Sequence, residues 1–232
     1  VAISFNTIAD ATSTNKDDLN AVLAATSGNV TGSITGSAAV LSGITDNASS
    51  TATNNLTLTV TDQVTTANFY TIMGKTSITT VDFSEGISDN LSNLNDISET
   101  IKTADPDVAI GFEAIAAATP NNKDHLNAVL AATTGNVTGS LTGSADVLSA
   151  ITANVSSTAT NDLTLTVSNV ATVDQAILII DATNKDTVDF SSGISDSLAD
   201  LNTNISTIAS ADSSVAISFN TIADATSTNK DD

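Results

Sequence analysis

The sequence contains no cysteine, no arginine and no tryptophan, and these absences exclude several classes of function. Without cysteine there can be no disulfide framework, thiolate zinc site, iron–sulfur cluster or cysteine nucleophile. Six lysines stand against 26 acidic residues, which gives a net charge of −20. Nucleic acid is therefore not expected as a partner, because its affinity for proteins comes mainly from basic side chains at phosphates. Anionic membrane surfaces are disfavoured for the same reason.

Aromatic residues and long apolar runs are also scarce. Aromatics make up 3% of the chain. The longest apolar cluster, residues 176–180, is far shorter than the roughly 20 residues of a membrane-spanning helix. Membrane insertion is not expected. Hydrophobic residues still reach 41%, so the sequence predicts a core of small aliphatic side chains in thin, regular layers, as in repeat proteins.

The sequence repeats itself at a constant spacing. The motif Val-Ala-Ile-Ser-Phe at residues 1–5 returns as Val-Ala-Ile-Gly-Phe at 108–112 and again as Val-Ala-Ile-Ser-Phe at 215–219. Residues 1–107 and 108–214 are identical at about 65 of 107 positions without gaps. Such self-similarity is the signature of a repeat architecture.

The end of the chain reveals a longer period. Residues 215–232 are identical to residues 1–18 at every position, whereas the second copy differs from the first at seven of those positions. We therefore divide the chain into copy A (1–107), copy B (108–214) and the truncated start of a further copy A (215–232). The chain is interpreted as a window cut from a longer array.

Each copy shows alternating strand and helix patterns. Runs of β-branched and aromatic residues predict strands at residues 1–5, 30–34, 56–60 and 78–83. Apolar residues at helical spacing predict helices between them, and the longest stripe contains Ile87, Leu91, Leu94, Ile97 and Ile101. Candidate N-caps of two shorter helices are Asp17, Asp18 and Ser37.

These patterns predict an α/β repeat with about four strand–helix coils in each copy. Units of this size bury their apolar faces by stacking on neighbours, which predicts a β/α solenoid with parallel strands. Parallel strands lie about 4.8 Å apart, whereas packed helices need about 8–10 Å. This mismatch predicts a curved or superhelical solenoid.

Residues 61–80 and 168–187 depart from the repeat, because they agree at only four of 20 positions while both flanks are nearly constant. Both segments keep apolar residues in the middle. Two interpretations are open. Either this coil is a tolerant surface with a drifting core, or copies A and B make different contacts there.

The polar repeats resemble those of a known class of protein. Segments such as residues 19–23, 32–41 and 87–95 resemble the Ala/Ser/Thr/Asp-rich tandem repeats of giant secreted cell-surface proteins of marine bacteria and cyanobacteria. The resemblance implies an extracellular array at the cell surface or in a matrix, with a structural or adhesive role. The Gly-Gly-x-Gly-x-Asp calcium motif that accompanies many such proteins does not occur here.

Calcium is the one candidate ligand, and no other cofactor is expected. Calcium needs several oxygen ligands from carboxylates and carbonyls. The turns around Asp17, Asp18 and Asp124 and the Val-Asp-Phe motifs at Asp82 and Asp189 supply some of them. The alternative interpretation is that these residues are solvated turn carboxylates and helix caps.

The sequence does not predict an enzyme. Lyases acting on acidic glycans need arginine or lysine, and no pair of carboxylates stands out by its spacing or by an apolar setting that would raise one pKa. His125 occupies the position of Asp18 in copy A, which indicates surface variation.

Two functional hypotheses remain. The first is a non-enzymatic, extracellular structural repeat, a section of a long cell-surface, matrix or filament-forming protein that associates with neighbouring repeats or identical chains. The second is a calcium-dependent adhesin or glycan-binding module.

Overall fold

The computed structural model describes residues 1–49, 52–152 and 161–219. In this part of the chain, parallel strands alternate with helices and no closed barrel is present. The predicted α/β class with parallel strands is therefore confirmed. The chain forms two compact units.

The first unit contains Val1–Gly111 and Ala132–Gly135. Its elements are β1 (Ile3–Ser4), β2 (Ile8–Ala11), α1 (Ser13–Ala25), β3 (Val30–Gly36), α2 (Ala38–Leu41), β4 (Asn54–Val60), α3 (Thr66–Met73), β5 (Asp82–Phe83), β6 (Ile87–Asp89) and α4 (Leu91–Ala104). A short strand, β7 (Ile110–Phe112), ends just beyond it in the sequence.

The second unit contains Phe112–Ala131 and the described residues from Asn136 onward. Its elements are β8 (Ile115–Ala118), α5 (Pro120–Leu130), β9 (Val137–Gly143), α6 (Ala145–Leu148), β10 (Asn161–Val167), α7 (Val173–Asp181), β11 (Ile194–Asp196), α8 (Leu198–Ala211) and β12 (Ile217–Phe219). Most of these elements occupy positions in copy B that elements of the first unit occupy in copy A.

The strand pairings follow the chain order in each unit. In the first unit, β3 pairs with β4 along its whole length, from Val30 opposite Asn54 to Gly36 opposite Val60. The other edge of β3 is shared by β1 and β2, and β5 pairs with the end of β4. In the second unit, β9 pairs with β10 in the same register, β8 pairs with β9, and β11 pairs with β12. All of these pairings are parallel.

The core consists mainly of aliphatic side chains from the strands and helices, and Phe69, Phe83 and Phe190 are fully buried among them. Along β4 and β10, every second residue is buried, and the side chains between them face outward. The longest helices, α4 and α8, bury one stripe each. The predicted thin aliphatic layers are therefore present within each unit.

The long helix begins later than its apolar stripe predicts. Ile87 is a strand residue of β6, and the helix starts at Leu91 after the N-cap Asn90. Gly86 adopts a φ of 85°, which L side chains rarely adopt, and it turns the chain so that Ile87 lies opposite Val64. Ile87 and Leu91 therefore have helical spacing in the sequence, although Ile87 lies in a strand and only Leu91 lies in the helix.

The first helix is capped by a residue other than those predicted. Thr12 is the N-cap of α1, where its hydroxyl accepts from the Asn15 N–H and the Asn15 side chain accepts from the Thr12 N–H. Asp17 and Asp18 lie further along the helix, so their prediction as caps was wrong. The reason is that a Thr-x-x-Asn capping box stands earlier in the sequence. The prediction of Ser37 as the N-cap of α2 is confirmed.

A glycine provides the space for a phenylalanine ring in each unit. A Cβ built on Gly139 would lie 2.3 Å from the ring of Phe112, and one on Gly32 would lie 2.3 Å from the ring of Phe5. Phe112 is only 7% exposed. The close approach explains why glycine interrupts an otherwise β-branched strand.

We expect Gly139→Ala to destabilise the protein by about 1–3 kcal/mol, because the added methyl group must displace the buried Phe112 ring. Gly74→Ala is the matched control, since its Cβ would meet neighbouring carbonyl oxygens at 3.5 Å, which is ordinary contact. Urea unfolding of both variants measures the difference. Equal losses would contradict the role of the ring.

Candidate functional site

Three of the five candidate calcium ligands lie on exposed turns of helices. The carboxylate of Asp17 lies 3.0 Å from the ammonium group of Lys16, and Asp124 forms the corresponding ion pair with Lys123. Asp18 lies beside an apolar hollow next to β1. Asp17 and Asp18 are neighbours in α1, but no third acidic side chain among the described residues joins them to hold a metal ion.

The other two candidates each line an open recess at the end of the strands. In the first unit, Asp82 lines a recess of about 490 Å³ together with Thr59, Thr80, Asp105 and Asp107. With Thr57 also in its lining, this recess brings three carboxylates and three hydroxyls to one place. We refer to it as the acidic recess of the first unit.

The second unit contains the corresponding recess, with fewer carboxylates. Asp189 lines a recess of about 500 Å³ together with Thr166, Thr187, Asp212 and Ser214. Ser214 takes the place of Asp107, so one carboxylate is replaced by a hydroxyl. The two recesses therefore have similar volumes and differ in charge.

Asp105 is the central acid of the first recess. It is 9% exposed, and its Oδ2 accepts a 2.7 Å hydrogen bond from the Phe83 N–H. Burial, with smaller contributions from the neighbouring carboxyls of Asp107 and Asp82, raises the pKa of Asp105 to about 6, against the effect of the Phe83 hydrogen bond. Asp105 is therefore a carboxyl group that takes up a proton near pH 6.

Asp212 occupies the same position in the second unit, and its pKa is shifted in the opposite direction. Its Oδ2 accepts from the Phe190 N–H at 3.0 Å, and its Oδ1 accepts from the Ser214 N–H and hydroxyl. Partial burial would raise the pKa, but these hydrogen bonds together lower it. The hydrogen bond from the phenylalanine N–H is thus common to both units, whereas the raised pKa is not.

Other acidic and amide side chains serve as acceptors between successive strand–helix pairs. In the first unit, Asp62 Oδ1 accepts from the Ala38 N–H at 2.6 Å, and Asp89 Oδ2 accepts from the N–H and hydroxyl of Thr66. Ala38 and Thr66 are the first residues of α2 and α3. We refer to residues such as Asp62 and Asp89 as linking acceptors, because each lies at or just beyond the C-terminal end of a strand and bonds the first residue of the preceding helix.

The second unit has linking acceptors at the same positions. Asn169 Oδ1 accepts from the Ala145 N–H at 2.7 Å, and Asp196 Oδ2 accepts from the Val173 N–H at 2.9 Å. Ala145 and Val173 begin α6 and α7. Asn169 stands where the first unit has Asp62, so an amide oxygen can replace a carboxylate in this role.

The ionised form of Asp89 is favoured by its role as a linking acceptor. Burial alone would raise its pKa, but hydrogen bonds from the Thr66 hydroxyl, the Asn90 N–H and the Asn93 amide outweigh it and lower the pKa. The carboxylate therefore remains charged at the N-terminus of α3, where the helix dipole also favours a negative charge.

The sequence did not single out Asp105 or the linking acceptors. They lie on turns, and their partners are 22 to 24 residues away. A signal was present, because each recurs at the equivalent position of copy B as Asp or Asn. His125 was interpreted as surface variation, but it is half-buried in α5 and its Nδ1 has no hydrogen-bond partner among the described residues.

Among the described residues, no group of three or more His, Asp or Glu side chains is arranged to hold a metal ion. None of the helices described is long and apolar enough to span a bilayer. Comparison with protein families, curated proteins and solved structures also gave no match. The function is therefore inferred from the geometry of the chain itself.

We expect Asp107→Ser to weaken the pH dependence of stability. A raised pKa in the folded state means that the stabilising contribution of Asp105 is present below its unfolded pKa of about 4 and is lost as the pH rises through about 6. Replacing Asp107 removes a neighbouring carboxyl, so the variant should be more stable than the unmodified chain near pH 7 and similar near pH 4.

Urea unfolding across this pH range measures the effect. Ser214→Asp is the reciprocal control, because it places a carboxyl beside Asp212 in the second unit; it should shift the pH dependence there in the same direction but by less, since Asp212 is less buried than Asp105. If the free energy of unfolding depends on pH in the same way in all three chains, a carboxyl at position 107 or 214 does not affect the acid two residues before it.

We expect Asp62→Ala to cost about 1–3 kcal/mol, because it leaves the Ala38 N–H without its acceptor. Asp62→Asn should cost clearly less, since Asn169 fills the same role in the second unit. Asp17→Ala, at an exposed ion pair, should change little. Chemical denaturation compares the three. If alanine and asparagine at position 62 cost the same, hydrogen bonding is not what this position contributes.

Proposed function

We propose that the chain is a section of a β/α solenoid, with about four strand–helix coils in each copy and a curved or superhelical course. The supporting observation is that linking acceptors recur at equivalent positions in both units and connect each strand–helix pair to the next one. Contacts of this kind, between nearest neighbours only, are what solenoid stability rests on. The parallel pairing of β3 with β4 and of β9 with β10 in one register also supports it.

We further propose that its function is structural and non-enzymatic, as part of a long extracellular protein of the cell surface, a matrix or a filament. The acidic groups that the fold brings together have structural partners. Asp105 and Asp212 both accept a hydrogen bond from the N–H of the phenylalanine of a Val-Asp-Phe motif, although their pKa values are shifted in opposite directions. A catalytic acid would need its raised pKa, whereas a structural acceptor needs only the hydrogen bond.

Adding a further A–B pair of copies to the chain tests this proposal. Small-angle scattering should show the longest dimension growing with each added pair, by up to about 40 Å for eight coils at the strand spacing of about 4.8 Å. The melting temperature of the lengthened chain should equal or exceed that of the unmodified chain, because a larger share of its coils has a neighbour on both sides. Units that tumble independently, without a fixed increase in length, would exclude the solenoid.

The second candidate is a calcium-dependent adhesin or glycan-binding module. Its support is that three carboxylates line one recess of the first unit, although they are not arranged there to hold a metal ion. Asp82, Asp105 and Asp107 share that recess with threonine hydroxyls. A ligand that binds only the folded state raises the melting temperature. Melting curves with millimolar calcium and with chelator should therefore differ in this case, and the difference should disappear in an Asp105→Asn variant.

A further inference from the structure

The peptide bond between Asp105 and Pro106 lies near the end of copy A, and it is the only Asp–Pro bond in the sequence. The side-chain carboxyl of an aspartate can reach the main-chain carbonyl carbon of its own residue, because the ring that closes has five members. Proline has no N–H, so its nitrogen cannot attack the side chain instead. An Asp–Pro bond can therefore be broken by its own carboxyl group, provided that this group holds a proton to donate.

The Asp105 carboxyl is held at the acidic recess of the first unit. Its Oδ2 accepts from the Phe83 N–H at 2.7 Å, and the residue is largely buried. The titratable side chains that face it are Asp82 of β5 and Asp107 of the turn after α4. The described residues that line the recess include no lysine. Burial and two acidic neighbours therefore keep a proton on Asp105 up to a pH of about 6.

The backbone on both sides of this bond is held in place. The Val108 N–H donates to the Asp105 carbonyl oxygen at 3.3 Å. This oxygen gains negative charge when its carbon is attacked, so the Val108 N–H is placed as an oxyanion donor. Beyond the bond, the Pro106 carbonyl accepts from the Thr134 N–H at 2.6 Å and from the Thr134 hydroxyl at 3.1 Å. The side chain can therefore act on a fixed peptide group.

Copy B has the same aspartate without the proline. Asp212 accepts from the Phe190 N–H, but Ser213 follows it and Ser214 donates to its other carboxylate oxygen. These hydrogen bonds lower the pKa of Asp212, so it is an ionised carboxylate with no proton to give. The proline and the protonated acid thus occur together in one copy and are both absent from the other.

We propose that the chain cleaves itself between Asp105 and Pro106 in mildly acidic surroundings. The Asp105 carboxylic acid attacks its own main-chain carbonyl carbon through one oxygen, and its proton passes to the Pro106 nitrogen as the C–N bond breaks. The products are a cyclic anhydride at Asp105 and a free amine at Pro106. One water molecule from the open recess then hydrolyses the anhydride. The net reaction is the hydrolysis of one peptide bond, and nothing is oxidised or reduced.

This reaction goes beyond the proposed structural function and is compatible with it, because it occurs once in each chain and has no turnover. The break does not release the fragments. Val108 is buried and the Pro106 carbonyl remains bonded to Thr134, so the residues after the break stay packed on the first unit. The freed amine takes up a proton at about pH 6, since α-amino groups have a pKa of about 8, and it therefore does not re-form the bond.

Incubation of the full chain at about pH 6, folded in buffer or unfolded in concentrated urea, tests the proposal. Denaturing gels and mass spectrometry should show fragments 1–105 and 106–232. About half of Asp105 is protonated at this pH in the folded chain, against about 1% of a carboxyl with the ordinary pKa of 3.8. Cleavage should therefore be at least about tenfold faster in the folded chain, and slower above pH 6. A folded chain that is cleaved no faster than the unfolded chain would overturn the proposal.

Two matched substitutions separate the recess from the Asp–Pro bond itself. Pro106→Ser gives copy A the Asp–Ser sequence of copy B and should abolish cleavage. Ser213→Pro creates a second Asp–Pro bond after Asp212, at a position where copy A already holds proline. In that chain, cleavage after Asp105 should be at least about tenfold faster than cleavage after Asp212, because only Asp105 holds a proton at about pH 6. Equal rates at the two bonds would overturn the role of the recess.

The attacking group is tested separately. Asp105→Asn keeps an oxygen acceptor for the Phe83 N–H but has no acidic proton, so it should lose the acid-dependent cleavage. In water enriched in the heavy oxygen isotope, opening of an anhydride places label in the side-chain carboxyl of Asp105 in part of the fragments. Label confined to the new α-carboxyl, or cleavage that persists in D105N, would exclude the anhydride route. Circular dichroism and urea unfolding should show that all variants are folded.

Discussion

The backbone N–H groups at the start of a helix have no acceptor within the helix, and this structure supplies one from the next strand–helix pair. Asp62 and Asp89 do so for α2 and α3, and Asn169 and Asp196 do so for α6 and α7. A strand–helix pair of this kind is incomplete by itself. Its polar groups as well as its apolar face require a neighbour, so stacking is a condition of folding.

This condition also explains where the two copies are free to differ. In α3, Phe69 and Ile72 are fully buried, and Phe69 packs against Phe83 with ring centroids 4.9 Å apart. In α7 the same two positions, Ala176 and Ile179, are again fully buried.

The outer face of these helices is less constrained, since Tyr70 and Leu178 are each about half exposed. The divergence of residues 61–80 from 168–187 therefore leaves the buried positions in place. Thr76 and Thr183 are also retained, and each hydroxyl bonds backbone groups of the neighbouring strand. This favours drift of a tolerant surface over a change in the helix's packing.

Much of the fold could be predicted because the repeat averages out local ambiguity. Strand patterns at recurring spacings predicted parallel strands alternating with helices, and Ser37 was identified as a cap by a local rule. The failures were of two kinds. Ile87 has helical spacing to Leu91, and neither the positive-φ Gly86 before the strand nor the N-cap Asn90 after it changes that spacing. Asp105 acquires its raised pKa mainly from burial, which no local pattern reveals, and in smaller part from the nearby Asp107 and the more distant Asp82.

The acidic composition has two separate roles in this structure. At linking positions, an oxygen acceptor is what matters, since Asn169 replaces Asp62 without loss of the hydrogen bond. At exposed positions such as Asp17, the carboxylates contribute mainly charge. A net charge of −20 opposes close association between copies of the chain. The exposed carboxylates present this charge to solvent, whereas the linking acceptors are occupied by backbone N–H groups within each unit.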